Sequence, residues 1–254
     1  MCLILFAYRA HPRYPLVVAA NRDEWFRRPT APASFWSDRP DVLGGRDLEQ
    51  GGTWLGITRR GRFAALTNVR APQNKRDGAP SRGALVSGFL TAAQPPLPYA
   101  ERLVAGAAHY NGFNLLTGDG RDLAYVSSRE ARAAAIAPGV HGLSNGVLDE
   151  SWPKVVKGRT GLAALLEQPF APDALFALLK DPTPAPDSAL PSTGVSLEWE
   201  RRLSAMHILA DDYGTRSATV LLVGADGRIT FVERTFDAAG RAVGQVEERF
   251  ALDI

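Results

Sequence analysis

Cysteine is almost absent from this chain of 254 residues, which contains only one. No disulfide can therefore form within the chain, whereas small secreted domains depend on several pairs of cysteines. A lone thiol is typical of a protein in a reducing compartment, so the sequence predicts a cytoplasmic location.

Long apolar runs are also missing. The longest one near the start of the chain is Cys2–Tyr8, whereas a helix that crosses a membrane needs roughly 18 to 20 apolar residues. This run has neither a basic segment before it nor a small-residue cleavage site after it, as a secretory signal would. We expect no integral membrane segment.

Neither sign of charge is in clear excess, because 29 basic residues face 27 acidic ones and the net charge is +2. Domains that bind nucleic acid carry a strong basic patch or stripe, so no nucleic-acid partner is expected. The four histidines are scattered without the paired spacing of zinc ligands, so we expect no metal site. A Cys-x-x-Cys-His segment, which would attach haem covalently, is absent as well.

Blocks of strand-forming and helix-forming residues alternate along the chain. Short apolar runs rich in β-formers come first, helical periodicity follows, and both patterns then recur before a final group of strands. The predicted strands cover residues 3–8, 15–20, 53–58, 63–67, 113–117, 123–127, 139–145, 203–209, 217–223, 228–234 and 243–250, and the predicted helices cover 81–90, 99–110, 152–167 and 172–179.

This segregation into blocks favours a layered α+β fold over a doubly wound parallel sheet. We expect a four-layer αββα sandwich of two stacked antiparallel sheets. The Pro-rich segment Asp181–Pro191 is interpreted as a surface loop rather than a linker. The chain is therefore predicted to form one domain over residues 1–254.

The position of the single cysteine, directly after the initiator methionine, has two interpretations. Initiator methionine is normally removed before a small residue, and removal would give Cys2 a free α-amine with a pKa near 8. That amine could act as general base for the thiol of the same residue, as in N-terminal-nucleophile enzymes. If Met1 is retained, the nitrogen is an amide and this mechanism fails. The alternative is a small apolar side chain that fills space at the start of a strand.

Four polar residues, Asn21-Arg22-Asp23-Glu24, follow the second apolar run. A hairpin between the first two strands would return them to the start of the chain, where they could surround Cys2. Arg22 could stabilise a thiolate or hold a substrate carboxylate. Asp23 could orient the α-amine by accepting its proton, and Asn21 could donate hydrogen bonds. The alternative is a solvated turn with no chemical role.

The chain resembles the NRDE family, also called the transport-and-Golgi-organisation type 2 family, which is named for this tetrad. The resemblance runs along nearly the whole chain, in order and in spacing. The matching segments are Met1-Cys2, Asn21-Arg22-Asp23-Glu24, Gly52-Thr53-Trp54-Leu55-Gly56, Leu66-Thr67-Asn68, Leu143-Ser144-Asn145, Trp152-Pro153-Lys154 and Tyr213-Gly214-Thr215-Arg216-Ser217.

The resemblance implies an αββα N-terminal-nucleophile fold, distantly similar to the choloylglycine hydrolase and penicillin V acylase group, in which a cysteine at the same place cleaves amides. By the same resemblance Asp23 contacts the amine, Asn68 and Asn145 bind the oxyanion, and Arg216 is a late catalytic-site arginine. Asparagine suits the oxyanion role because it donates hydrogen bonds without titrating. Further pocket candidates are Asn21, Glu24, Thr53 and Trp54.

Three functions remain open at this point. The first is hydrolysis of an amide or thioester in a small acyl compound by Cys2, which requires no cofactor. The second is a non-enzymatic carrier in intracellular haem trafficking or in acyl-coenzyme A or lipid metabolism, as the resemblance suggests. Haem would then be cargo, and the candidate axial ligands are Cys2, His11, His109, His141, Met206 and His207. The third is a pseudoenzyme that keeps the fold for protein interactions.

Overall fold

The computed structural model describes residues 2–253, which form thirteen β-strands and five α-helices. The strands are β1 (Cys2–Tyr8), β2 (Leu16–Trp25), β3 (Thr30–Trp36), β4 (Arg39–Asp47), β5 (Leu55–Thr58), β6 (Phe63–Asn68), β7 (Phe113–Gly118), β8 (Leu123–Ser127), β9 (Arg132–Ala135), β10 (Gly139–Leu143), β11 (Tyr213–Val223), β12 (Arg228–Phe236) and β13 (Ala242–Ala251). The helices are α1 (Gly83–Thr91), α2 (Pro96–Gly106), α3 (Pro153–Leu166), α4 (Pro172–Leu179) and α5 (Leu197–Leu203).

The chain divides into two compact units. The first comprises the residues up to Arg27 together with Pro138–Arg249, and the second comprises Arg28–Ala137 together with the residues from Phe250 onward. Each unit contains one sheet and its own helices. The assignment of residues 1–254 to a single domain stays a prediction.

The first unit is built on a six-stranded sheet with the order β10-β1-β2-β11-β12-β13. Strand β1 pairs antiparallel with β2 and β10, and β11 pairs antiparallel with β2 and β12. Because side chains alternate along a strand, every second residue lies on the same face. On one face these residues pack against α3 and α4, and the buried cluster includes Leu3, Leu5, Val17, Ala19, Val155, Leu162, Phe176, Leu179 and Val220.

One glycine allows helix α3 to approach the sheet of the first unit. A Cβ atom on Gly158 would lie 2.6 Å from Cδ2 of Leu5, closer than atoms of real side chains come. Leu5 lies in the middle of β1 and is fully buried. The contact between α3 and β1 therefore depends on the missing side chain at this position.

The second unit is built on a seven-stranded sheet with the order β3-β4-β5-β6-β7-β8-β9, in which every neighbouring pair is antiparallel. Helices α1 and α2 pack on this sheet. Their contact is centred on Phe89, whose ring meets the Tyr99 ring edge-on at 5.1 Å. Phe113 and Leu115 of β7 belong to the same buried core.

The predicted α+β class with antiparallel sheets is confirmed, and so is the alternation of strand and helix blocks. One predicted strand, residues 203–209, is wrong. Leu203 ends α5, and the residues after it form an irregular buried segment that includes Met206 and Ile208. The apolar character of this segment reflects burial rather than pairing in a sheet, which is why the sequence pattern is misleading here.

In residues 2–253 no helix combines the length and the apolar character needed to cross a membrane.

Candidate active site

The pairing of β1 with β2 places the tetrad beside the cysteine. Cys2 is the first residue of β1, and its Cα partner on β2 is Arg22. Strand β2 continues to Trp25, so the tetrad lies within a strand and not in a turn. Arg22 is only 5% exposed, which excludes the interpretation of the tetrad as a solvated turn.

Alternation along β2 sends the tetrad side chains to opposite faces of the sheet. Asn21 lies on the helix-covered face, where its Nδ2 donates to the carbonyls of Leu179 at 3.0 Å and Met206 at 2.8 Å. Arg22 lies on the other face, with its Nη2 3.9 Å from Oε2 of Glu24. Because directly opposed residues of an antiparallel pair share a face, Cys2 and Arg22 are neighbours.

Asp23 is held by strand β11. The Thr215 hydroxyl donates to Oδ1 of Asp23 at 2.7 Å, and the Tyr213 hydroxyl donates to the Asp23 carbonyl at 3.1 Å. Both the side chain and the backbone of Asp23 are therefore fixed from the same strand. Asp23 itself is 1% exposed.

Arg216 occupies an irregularity of the same strand. The register between β2 and β11 shifts between Thr215 and Ser217, so Arg216 is the extra residue of a β-bulge. Its Nη1 donates to the Trp25 carbonyl at 3.3 Å. Burial lowers the pKa of Arg216, and the positive charge of Arg22 lowers it further. The two guanidinium groups are thus close enough to interact.

Asn145 follows the end of β10, on the other side of β1. Leu143 is the Cα partner of Ile4, and the Ser144 hydroxyl lies 3.1 Å from the Cys2 carbonyl, so the segment stays beside β1 past its last paired residue. Asn145 is 1% exposed, and its Oδ1 is 3.3 Å from the same hydroxyl. The single Ser144 proton can serve only one of these two acceptors at a time.

The loop that carries Asn145 is closed by Asp149. One carboxylate oxygen of Asp149 accepts from the Gly142 amide at 2.8 Å, and the other lies 2.8 Å from Nδ1 of His141. The Asp149 amide in turn donates to the Gly142 carbonyl at 2.8 Å, and Arg159 lies 3.4 Å from the carboxylate. The sequence analysis did not predict this set of contacts, because neither Asp149 nor His141 belongs to a recognisable motif.

Burial alone would raise the pKa of Asp149, but His141, the Gly142 amide and Arg159 outweigh it and hold the pKa below its usual value. A carboxyl with a lowered pKa stabilises the fold above its unfolded-state pKa, and this contribution is lost as the pH falls through the folded-state value. We therefore expect Asp149→Asn to reduce the free energy of unfolding by about 1 to 2 kcal/mol at pH 7.

Denaturant unfolding at pH 7 and pH 3 checks this expectation, with Asp77→Asn as the control because the Asp77 side chain is 99% exposed. The difference between wild type and Asp149→Asn should shrink at pH 3. An equal loss at both pH values would contradict a role for the ionised carboxylate.

The thiol of Cys2 is buried, with 8% of the residue exposed. Burial raises the pKa of the Cys2 thiol, the Asp23 charge adds to the rise, and Arg22 and the Asp23 backbone amide act in the opposite direction. The net result is a thiol whose pKa lies above its usual value. Nucleophilic attack by this sulfur therefore needs a base that takes its proton.

Three further residues of the predicted site belong to the second unit. Asn68 ends β6, where its Cα partner is Phe113 of β7. The Thr53 hydroxyl donates to the Leu55 carbonyl at 3.0 Å, and the Trp54 carbonyl accepts from the Leu66 amide at 2.8 Å. Their assignment to the site stays a prediction.

Residues 142–146 also match the Gly-x-Ser-x-Gly pattern of serine hydrolases, a match that sequence reasoning overlooked. In those enzymes the serine is exposed at a sharp turn between a strand and a helix. Here Ser144 is 1% exposed and lies beside the Cys2 carbonyl. His141 is three residues away along an extended segment, about 10 Å, so the two do not form a nucleophile and base pair.

The residues considered as haem ligands have separate surroundings. The Nδ1 of His11 accepts from two nearby amides, and His109 is exposed. Met206 packs in the apolar core of the first unit, and His207 packs edge-on against Phe236 at 5.0 Å. Within residues 2–253 no three His, Cys, Asp or Glu side chains are grouped as metal ligands. Haem as cargo stays a prediction.

The fold is that of the N-terminal-nucleophile hydrolases. The chain superposes on the C2A mutant of the conjugated bile acid hydrolase from Clostridium perfringens with a TM-score of 0.52, covering 100% of this chain and 93% of that one at 8% identity. The expected αββα class is thereby confirmed.

Within this class the chain belongs to the Transport and Golgi organisation 2 family. The family model matches residues 1–238. The chain is 39% identical over 259 residues to the Transport and Golgi organization protein 2 homolog of Bos taurus, covering 92% of this chain and 93% of the relative. It is 36% identical to the homologue of Homo sapiens over 257 residues, with the same coverage. The resemblance inferred from the tetrad and its companion motifs is confirmed.

Proposed function

We propose that this protein is an N-terminal-cysteine hydrolase that cleaves an amide or thioester bond in a small acyl compound. One observation supports this proposal above all: Cys2 lies opposite Arg22 and next to Asp23 in the strand register, and Ser144, which precedes Asn145, lies beside the Cys2 carbonyl. A buried arginine, a buried carboxylate and a buried amide near a lone thiol contribute little to apolar packing and are costly to remove from water. Such a set fits a nucleophile with its supporting groups.

The fold gives independent support. The compared bile acid hydrolase was crystallised with alanine in place of cysteine at position 2, the position that the lone cysteine occupies in this chain. That protein is named for its action on conjugated bile acids. Only the reaction class, hydrolysis by an N-terminal cysteine, is carried over here.

In the proposed reaction, the α-amine of mature Cys2 takes the thiol proton as the sulfur attacks the substrate carbonyl carbon. The amine then gives this proton to the leaving amine or thiol, and an acyl thioester remains on Cys2. Water, deprotonated by the same amine, hydrolyses the thioester and releases the acid. Each proton that the amine takes is returned, so the cycle closes without a cofactor.

The surrounding residues have separate roles in this scheme. Asp23 accepts a hydrogen bond from the amine and keeps it oriented towards the thiol. Asn145 donates to the oxyanion of the tetrahedral intermediate, a type of contact whose removal costs about 2.7 to 4 kcal/mol in characterised enzymes. Arg22 favours the thiolate as it forms, because its positive charge lies on the same face as the sulfur.

To test the proposal, the purified protein is incubated with a panel of acyl amides and acyl thioesters, and the intact mass is followed with time. We expect at least one compound to be hydrolysed and to leave a transient acyl adduct on Cys2. Since the chain has one cysteine, an adduct on sulfur can have only one location. No turnover and no adduct across a broad panel would contradict the proposal. A saturable shift of the Soret band on addition of haem would then favour the carrier.

A further inference from the structure

The segment Tyr213-Gly214-Thr215-Arg216-Ser217 matches the family, and the resemblance gives a catalytic-site role only to Arg216 within it. The Thr215 hydroxyl stands between two partners. It donates to Oδ1 of Asp23 at 2.7 Å and accepts from the Ile208 amide at 2.9 Å. The backbone amide of Thr215 also donates to the Ile208 carbonyl at 2.9 Å. Thr215 therefore links Asp23 to the irregular segment after α5.

That segment is itself anchored to the tetrad. The side chain of Asn21 donates to the Met206 carbonyl and to the Leu179 carbonyl at the end of α4. The Met206 carbonyl and the Ile208 amide thus find their partners in the side chains of Asn21 and Thr215. The buried segment and the tetrad are held together by these two polar side chains.

We infer that Thr215 is a positioning residue, which sets the orientation of the Asp23 carboxylate towards the amine of Cys2. This inference rests on the proposed function, because it gives Asp23 a catalytic partner. Thr215 lies on the strand next to β2, opposite Asp23 in the register, and so is not in contact with the reacting sulfur. Its proposed effect on the amine passes through the Asp23 carboxylate, to which its hydroxyl donates.

The geometry requires a hydroxyl at this position. Because the Thr215 oxygen accepts from the Ile208 amide, its proton is directed away from that amide and towards Asp23. Serine preserves both bonds, whereas valine has the shape of threonine and removes both. Tyr213 adds a second bond, to the Asp23 carbonyl, and this bond is unaffected by a change at position 215.

Alkylation of Cys2 by iodoacetamide provides a readout that needs no substrate. The amine of mature Cys2 accepts the thiol proton, so a misoriented amine leaves less thiolate and slows alkylation. Intact mass spectrometry gives the rate for Cys2 directly, because no other cysteine is present. We expect Thr215→Val to slow alkylation at pH 7 by about tenfold or more, since small displacements of catalytic groups have effects of this size.

Two variants serve as controls. Thr215→Ser should alkylate at close to the wild-type rate. Thr219→Val makes the same substitution in the same strand, at another buried hydroxyl next to a carboxylate, that of Glu233, and should also match wild type. Circular dichroism and thermal unfolding of all three variants show whether Thr215→Val is folded. If it is not, Thr215→Ala, which also removes the hydroxyl, replaces it in the same comparison.

The outcomes separate this inference from the proposed function. Slow alkylation of Asp23→Ala and Thr215→Val, with rescue in Thr215→Ser, supports both. Slow alkylation of Asp23→Ala with a wild-type rate in folded Thr215→Val overturns the role of Thr215 and leaves the proposed function intact. A wild-type rate in Asp23→Ala, or a thiol that does not react in the wild type, overturns both.

Discussion

Replacement of Cys2 by alanine is expected to reduce turnover of any substrate of this protein by about 10⁴-fold or more, the size of effect seen when a catalytic nucleophile is removed. The reason is that, in the proposed reaction, the Cys2 sulfur is the protein atom that bonds to the acyl carbon. The substitution removes one buried atom at the start of β1, so the fold should persist. Steady-state kinetics and intact mass with an acyl compound from the panel check the prediction.

Cys2→Ser is the matched variant, because it keeps the size of the side chain and changes only the nucleophile. It should retain the fold, bind the substrate with little change and turn over far more slowly than wild type. Both variants should give no acyl thioester. Turnover of Cys2→Ala within tenfold of wild type would contradict the assignment of the nucleophile.

Replacement of Asn145 by alanine is expected to lower kcat by about 10² to 10³-fold with a smaller change in KM, since an oxyanion donor acts in the transition state rather than on the bound substrate. The location of Asn145 supports this role. It is buried, follows the end of β10 and lies in a loop that Asp149 holds closed beside Cys2. Kinetics on the same acyl compound measure the effect.

Asn111→Ala is the control for loss of an asparagine side chain, because the Asn111 side chain hydrogen-bonds to the Arg76 backbone in the second unit. It should leave kcat unchanged. Intact mass spectrometry of quenched reactions should show less acyl enzyme for Asn145→Ala than for wild type at equal times. A loss that appears entirely in KM, with kcat preserved, would show that Asn145 binds substrate and does not stabilise the oxyanion.

The sequence predicted β1 and β2 well because their pairing is local. The apolar runs of β1 and β2 are short and close together, so a hairpin was the simplest way to pair them, and the pairing brings Arg22 opposite Cys2. The sequence did not predict which face of the sheet each tetrad side chain occupies. The tetrad was expected to follow the second strand and to surround Cys2, whereas β2 continues through it and directs Asn21 away from the face of Arg22.

The sequence analysis missed three strands of the second unit, β3, β4 and β9, and for β3 and β4 the reason is physical. Strands β3 and β4 contain Pro32, Pro40, Gly44 and Gly45, residues that normally argue against a strand. Strand β3 is an edge strand, where proline costs no ladder hydrogen bond. The glycines of β4 are required by close packing, since a Cβ atom on Gly44 would lie 2.7 Å from the Leu55 carbonyl oxygen. Composition alone does not reveal such packing.

The supporting residues of the site were the least accessible to sequence reasoning. Thr215 and Asp149 act through hydrogen bonds to residues far away in the chain or in an irregular loop, and no periodicity marks them. Thr215 did appear in a matched family segment, but its role became visible only when β11 was placed beside β2. Candidate residues for contact with a substrate can be identified by residue type and position in the sequence. Residues that orient them can be identified only when the pairing register of the strands is known.

The central claim is that the sulfur and a free α-amine belong to the same residue in the mature protein, and the intact mass of the purified chain tests it most directly. The measured mass should equal that of the 254-residue sequence without Met1, with no acetyl group added. A mass that includes Met1, or one that shows a blocked amine on Cys2, would leave the thiol without its base and contradict the proposed mechanism.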